Sequence, residues 1–177
     1  MQYTASRRQA MAAPAFALCL AFIFSGIPAT GSSQIPKEPI KWSAKIQSAD
    51  KPLRAGERFA VQLTARIEEG WHLYSTDQVE GGPIPTRITL PADQPFEMAG
   101  TIESAEPKTA FDPNFNLMTE FYENEALFAV PAKVTAVAAP GKAGIRVSVS
   151  FQTCNDEICL PPKTVRLNVP LELAAGK

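Results

Sequence analysis

Four stretches of this 177-residue chain place an apolar side chain at every second position. That is the period of a strand with one face in a core. Ile40, Trp42, Ala44 and Ile46 alternate with lysines and polar residues. Phe59, Val61, Leu63, Ala65 and Ile67 alternate with Gln62, Thr64 and Arg66. Ile145, Val147, Val149 and Phe151 alternate with Arg146, Ser148, Ser150 and Gln152. Val165, Leu167, Val169, Leu171 and Leu173 alternate with Arg166, Asn168 and Glu172. Shorter candidates lie at 71–75, 86–90, 96–104 and 126–137. Breakers separate them, among them Glu69-Gly70, Gly81-Gly82-Pro83, Pro140-Gly141 and Pro161-Pro162. Sixteen prolines oppose a mostly helical chain. About eight strands at roughly ten-residue spacing predict an all-β fold, an antiparallel sandwich or barrel.

The N-terminus reads differently. Arg7 and Arg8 precede a run without charge that ends only at Lys37. Ala10 to Ile27 is almost wholly apolar, and small residues follow from Pro28 to Ser33. A basic start, an apolar middle and a small-residue exit predict a secretory signal peptide over residues 1–30, cleaved near Ala29 to Gly31. A linker is expected over 31–39, the folded domain over 40–173 and a frayed tail over 174–177. Cleavage would remove Arg7, Arg8 and Cys19 and take the net charge from −1 to −3. Two cysteines would remain, Cys154 and Cys159, in an oxidising compartment where a disulfide persists. No later segment reads as a membrane span. The near-neutral charge offers no footprint for nucleic acid or an anionic membrane surface. A single histidine excludes a multi-histidine metal site.

Cys154 and Cys159 flank Asn155-Asp156-Glu157-Ile158, between a strand ending at Gln152-Thr153 and the breaker Leu160-Pro161-Pro162. A staple closing so short a loop stabilises by only about 2 kcal/mol. Spacing alone leaves redox exchange and a structural staple both open. A third reading makes the thiols ligands of a soft metal such as Cu(I), assisted by Met118 or His72; two sulfurs alone underfill a zinc site. In Gly70-Trp71-His72-Leu73-Tyr74-Ser75, Trp71 and Leu73 are expected in the core. His72 and Tyr74 then share the opposite face, either half exposed or lining a site. With no G-x-S-x-G elbow, hydrolysis through His72 has little support. Thr119-Glu120-Phe121-Tyr122-Glu123 sets two aromatics between acids; they cover something, or form a plain edge strand or turn.

Together these pieces resemble the N-terminal periplasmic domain of the thiol–disulfide interchange protein DsbD. The resemblance rests on Phe151-Gln152-Thr153-Cys154 and Cys159-Leu160-Pro161-Pro162, with Gly70 to Ser75, Gly82-Pro83-Ile84-Pro85-Thr86 and Glu120-Phe121-Tyr122 in support. It spans about Trp42 to Leu173. It implies an immunoglobulin-like β-sandwich in the periplasm, a protein thiol–disulfide oxidoreductase whose catalytic pair is Cys154 and Cys159. Cys159 would form the mixed disulfide and Cys154 would resolve it. Phe121 looks like the cap residue of a loop over the pair, beside Glu120 and Tyr122, and His72 and Tyr74 match positions lining the site. The implied partners are thioredoxin-fold proteins, electron donor and acceptor, including disulfide isomerases and cytochrome c maturation thioredoxins. No cofactor and no metal are expected. Thr119 stands where the best-known members carry an aspartate, and His72 where a tyrosine is common. The family's membrane conduit and C-terminal thioredoxin domain are not in this sequence, so the expected electron source is a separate protein.

Chemistry alone supports a similar picture. Exchange runs by thiolate attack through a mixed disulfide. Carboxylates such as Glu120, Asp156 and Glu157 would disfavour a thiolate nearby. A hydrophobic cap would shield it until a partner docks. The competing class is a non-catalytic immunoglobulin-like binding module with a structural disulfide.

Overall fold

The structure is a computed structural model that describes residues 38–47 and 51–175. The expected signal peptide, nearly all of the linker and the end of the tail lie outside the described residues. Twelve strands are described: β1 (Ile40–Gln47), β2 (Arg58–Ile67), β3 (His72–Tyr74), β4 (Arg87–Thr89), β5 (Phe96–Met98), β6 (Glu103–Ser104), β7 (Lys108–Asp112), β8 (Leu117–Tyr122), β9 (Glu125–Val134), β10 (Gly141–Phe151), β11 (Thr153–Cys154) and β12 (Lys163–Leu173).

The architecture is an immunoglobulin-like β-sandwich built from three antiparallel sheets. The first runs β1-β2-β9-β5, with β6 also paired to β9. The second runs β12-β10-β4, and the third β11-β3-β8-β7. Alternation decides what enters the core. On β2, Val61, Leu63 and Ala65 are fully buried, and they lie opposite Val130, Phe128 and Ala126 of β9. Across from them come Ile145, Val147 and Val149 of β10, Ile88 of β4, and Leu73 and Tyr122 of the third sheet. Trp42 seals this core against Phe128 and Phe151, with ring centres 5.9 and 5.5 Å away. Among the described residues no helix is long and apolar enough to cross a membrane.

Two strand expectations need correction. The stretch 96–104 is not one strand but two: β5 pairs with the C-terminal end of β9 and β6 with its middle. The gap falls at Pro131, whose carbonyl accepts from Ala99 N but which has no N–H to return on the same side. The hairpin of β7 and β8 was not expected, because its pattern is inverted. Phe111 and Met118, cross-strand partners, are 57% and 54% exposed, while Asp112 and Thr119 point inward and are buried. A search for apolar inward positions misses such a hairpin. Its turn is closed by Asn116 in the left-handed region, φ 55°.

Phe128 touches the rings of both Trp42 and Tyr122, so it joins the main core to the third sheet. Phe128→Ala is expected to lower unfolding stability by about 3–5 kcal/mol, read as a drop in urea midpoint at unchanged slope.

Candidate functional site

The cysteine pair sits where one extended segment changes sheets. Through Phe151 the segment pairs with β12, Phe151 lying opposite Lys163. From Thr153 it pairs with β3, Thr153 opposite Leu73 and Cys154 opposite His72. Thr153 Oγ1 fastens the change by donating to His72 O at 2.7 Å. A tight turn follows. Asn155 Oδ1 accepts from Glu157 N at 3.0 Å and Ile158 N at 2.7 Å, the self-bonded turn that Asn favours. Asn155 N donates to Ile158 O and Leu160 N to Thr153 O. Between these bonds Cys154 and Cys159 face each other as a non-hydrogen-bonded pair, where strands approach most closely. They form a disulfide, with Cα atoms 4.0 Å apart. Cys154 is 0% exposed; Cys159 is partly exposed.

Strand β3 divides the two sides. Trp71 and Leu73 enter the main core, as expected, while Tyr74 joins a second buried cluster with Phe121 and Cys154. Phe115 and Cys159 pack against that cluster. The His72 ring stacks on Phe121 with centroids 4.2 Å apart. The Phe115 ring stands edge-on to Tyr74 at 5.9 Å. The floor is polar. Tyr74 OH donates to Asp112 Oδ2 at 2.6 Å, and Thr119 Oγ1 approaches the same oxygen at 3.5 Å. Burial, then the Asp112 hydrogen bond and charge, and lastly Asp156 hold the Tyr74 hydroxyl protonated far above the ordinary tyrosine range. Asp112 Oδ1 accepts from Asn114 N at 2.9 Å, and Asn114 Nδ2 donates to Asn155 O at 2.7 Å. The tip of the β7–β8 hairpin is thus tied to the turn between the cysteines.

His72 and Tyr74 therefore lie on the cysteine side of the third sheet, together with Phe121. Glu120 and Tyr122 do not. They alternate to the other face of β8, where Glu120 accepts from Ser75 Oγ at 3.2 Å. Tyr122 is buried in the main core and donates to Ser104 Oγ at 2.9 Å. Burial, opposed by that hydrogen bond, raises the Tyr122 pKa as well. The expected cap loop is a strand: Phe121 is held in β8 opposite Tyr74 and Lys108. Met118 shares the outward face with Glu120, so it is not beside the sulfurs. Among the described residues no three His, Cys, Asp or Glu side chains group to hold a metal ion.

Three contributors went unread in the sequence: Asp112, Asn114 and Phe115. The triplet Asp112-Pro113-Asn114 is a turn signature that could have exposed the hairpin. The stretch from Gly82 to Thr86 is stitched to the same region: Ile84 N donates to Gln152 Oε1 at 2.9 Å and Thr86 Oγ1 to Tyr74 O at 2.6 Å. On the far side of His72, Nε2 lies 3.5 Å from Glu123 Oε1, and Glu123 also pairs with Lys108.

A family model described as "Thiol:disulfide interchange protein DsbD, N-terminal" matches residues 43–170. No curated protein matches the chain. Among solved structures, the chain is similar to the N-terminal domain of DsbD from Neisseria meningitidis in the reduced form. The identity is 18%, covering 64% of this chain and 78% of that one, with a TM-score of 0.46. It is also similar to the N-terminal periplasmic domain of ScsB from Proteus mirabilis, at 17% identity and a TM-score of 0.50. That match covers 79% of this chain and 49% of the other, so the chain spans about half the length of the ScsB domain. At 17% identity the ScsB structure bears on the fold alone.

The buried tyrosines make stability fall at high pH. Above about pH 10 an unfolded tyrosine ionises while Tyr74 and Tyr122 stay protonated. The folded state then holds more protons, and stability declines as pH rises. In Tyr74→Phe this alkaline decline is expected to lose the share of one proton, up to about 1.4 kcal/mol per pH unit. At neutral pH the same variant is expected to cost about 1–3 kcal/mol, because Asp112 loses its buried donor. Urea melts at pH 7 and across the alkaline range check both.

Proposed function

The chain belongs to the family of the N-terminal domain of the thiol:disulfide interchange protein DsbD, and we propose that it passes reducing equivalents between thioredoxin-fold proteins through Cys154 and Cys159. The observation that carries this reading is the asymmetry of the pair. One sulfur is at the rim and the other is enclosed by Tyr74, Phe121 and Phe115. A bridge that only closed its own hairpin would need no such enclosure.

The chemistry follows from that asymmetry. An incoming thiolate can reach only Cys159. It forms a bond to Cys159 Sγ, the Cys154–Cys159 bond breaks, and the electron pair leaves on Cys154. In reverse, Cys154 attacks Cys159 in the mixed disulfide and the partner departs as a thiolate. The whole cycle needs no cofactor. Phe121 and Phe115 shield the sulfurs from adventitious thiols, and a docking partner displaces them. The periplasm is the compartment in which such a carrier operates. Disulfide isomerases and the thioredoxins of cytochrome c biogenesis are the acceptors proposed for it.

Two experiments test the reading. Cys154→Ala leaves Cys159 able to hold a partner, so a stalled mixed disulfide with a thioredoxin-fold protein is expected. In the intact pair, the reduction potential should lie in the exchanging range of roughly −120 to −270 mV; a value below about −300 mV would mark a structural bridge and overturn the reading. For the shield, Phe121→Ala is expected to speed alkylation of the reduced protein by about tenfold, equivalent to about 1.4 kcal/mol of protection.

A further inference from the structure

We propose that His72 is the acid–base partner of Cys154. It gives a proton to the Cys154 thiolate as the disulfide opens and takes it back as the mixed disulfide resolves. The inference rests on the interchange reading and adds to it the group that handles the proton.

The need comes from burial. Attack on the accessible Cys159 leaves the electron pair, and a negative charge, on a sulfur with no exposure to water. A charge enclosed by Tyr74, Phe121 and Phe115 is strongly disfavoured unless a proton or a cation meets it. Most ionisable groups near the pair cannot help. The Tyr74 hydroxyl proton is committed to Asp112. Asp112, Asp156 and Glu123 are acids, and their charge opposes a thiolate. The Lys108 ammonium is held by Glu123.

His72 answers the need by its register. It lies directly opposite Cys154 in the ladder of β3 and β11, so both side chains stand on one face. Cβ atoms of such a pair are about 4.5–5.5 Å apart. The imidazole side chain is only 15% exposed and is steadied by its stack on Phe121. Its Nε2 edge faces Glu123 at 3.5 Å. The same face thus carries a row: Cys159, Cys154, His72, Glu123, with Lys108 beyond. A carboxylate on one ring nitrogen orients the imidazole, leaving the other nitrogen for the sulfur.

The proton balance closes in both directions. During reduction, imidazolium His72 loses its proton to the departing Cys154 thiolate, giving Cys154–SH and neutral His72. During resolution, neutral His72 takes the Cys154 proton, the thiolate attacks Cys159 Sγ, and the partner leaves with the electron pair.

The chain's single histidine makes the test direct. Its ring resonance gives one NMR titration midpoint in the oxidised protein. The rate of disulfide reduction by dithiothreitol is then measured from about pH 5 to pH 9 and divided by the reagent's own thiolate fraction. In the wild type the corrected rate constant should fall as pH rises through the His72 midpoint. In His72→Gln it should be flat, and slower at the acidic end by roughly tenfold or more. Wherever Glu123→Gln sets the NMR midpoint, the kinetic break should move with it. A flat wild-type profile, the same break in His72→Gln, or a midpoint that moves in Glu123→Gln without the break overturns the inference alone. A wild-type bridge inert to both dithiothreitol and thioredoxin overturns the interchange reading, and this one with it.

Discussion

A strand has only two faces, and in β3 both are taken. Leu73 is fully buried in the main core, which forces its neighbours His72 and Tyr74 to the opposite side. The strand is three residues long, yet it is bonded on both edges, to β11 and to β8. Everything at the cysteine pair inherits its position from this pinning. Cys154 is set opposite His72, and Phe121 opposite Tyr74. A slip of one residue would send Leu73 to the sulfurs and Tyr74 into the core.

The second cluster is small, and its composition is mixed for a reason. Three rings and a disulfide cover an apolar volume, but beneath them lies a buried carboxylate. Asp112 is tolerable there because its oxygens accept from Tyr74 OH and Asn114 N, with Thr119 nearby. The same bonds anchor the hairpin of β7 and β8 to the turn between the cysteines. Rigidity of the floor and shielding of the sulfurs are thus one set of contacts. The electrostatic result is a site poor in cations, in which a thiolate at Cys154 is costly.

The division of the pair follows from the seam between sheets. The segment carrying Cys154 is the edge strand of the third sheet, bonded to β3. Cys159 lies beyond the turn, where the chain leaves toward Pro161 and Pro162. One sulfur is therefore structural in its surroundings and the other is available. That difference in exposure is produced by chain direction, not by any difference in the residues themselves.

Much of this was legible in the residue order. Alternation marked β1, β2 and β12 almost to their ends, β10 from Ile145 onward, and the strand carrying His72 and Tyr74 with its two faces, because each of these strands buries apolar side chains at period 2. The cysteine spacing and its flanking residues pointed to the family. The hairpin of β7 and β8 was not legible, since Asp112 and Thr119 are buried in it while Phe111 and Met118 face outward. Nor could period alone tell that Glu120 and Tyr122 turn away from the sulfurs while Phe121 turns toward them. That required knowing that 117–122 is a strand and which partner it faces. The order of residues determines local period, turns and the chemistry available. Which groups meet across sheets, such as Asp112 with Tyr74 or His72 with Cys154, depends on long-range register, and only the packing of the whole core selects that.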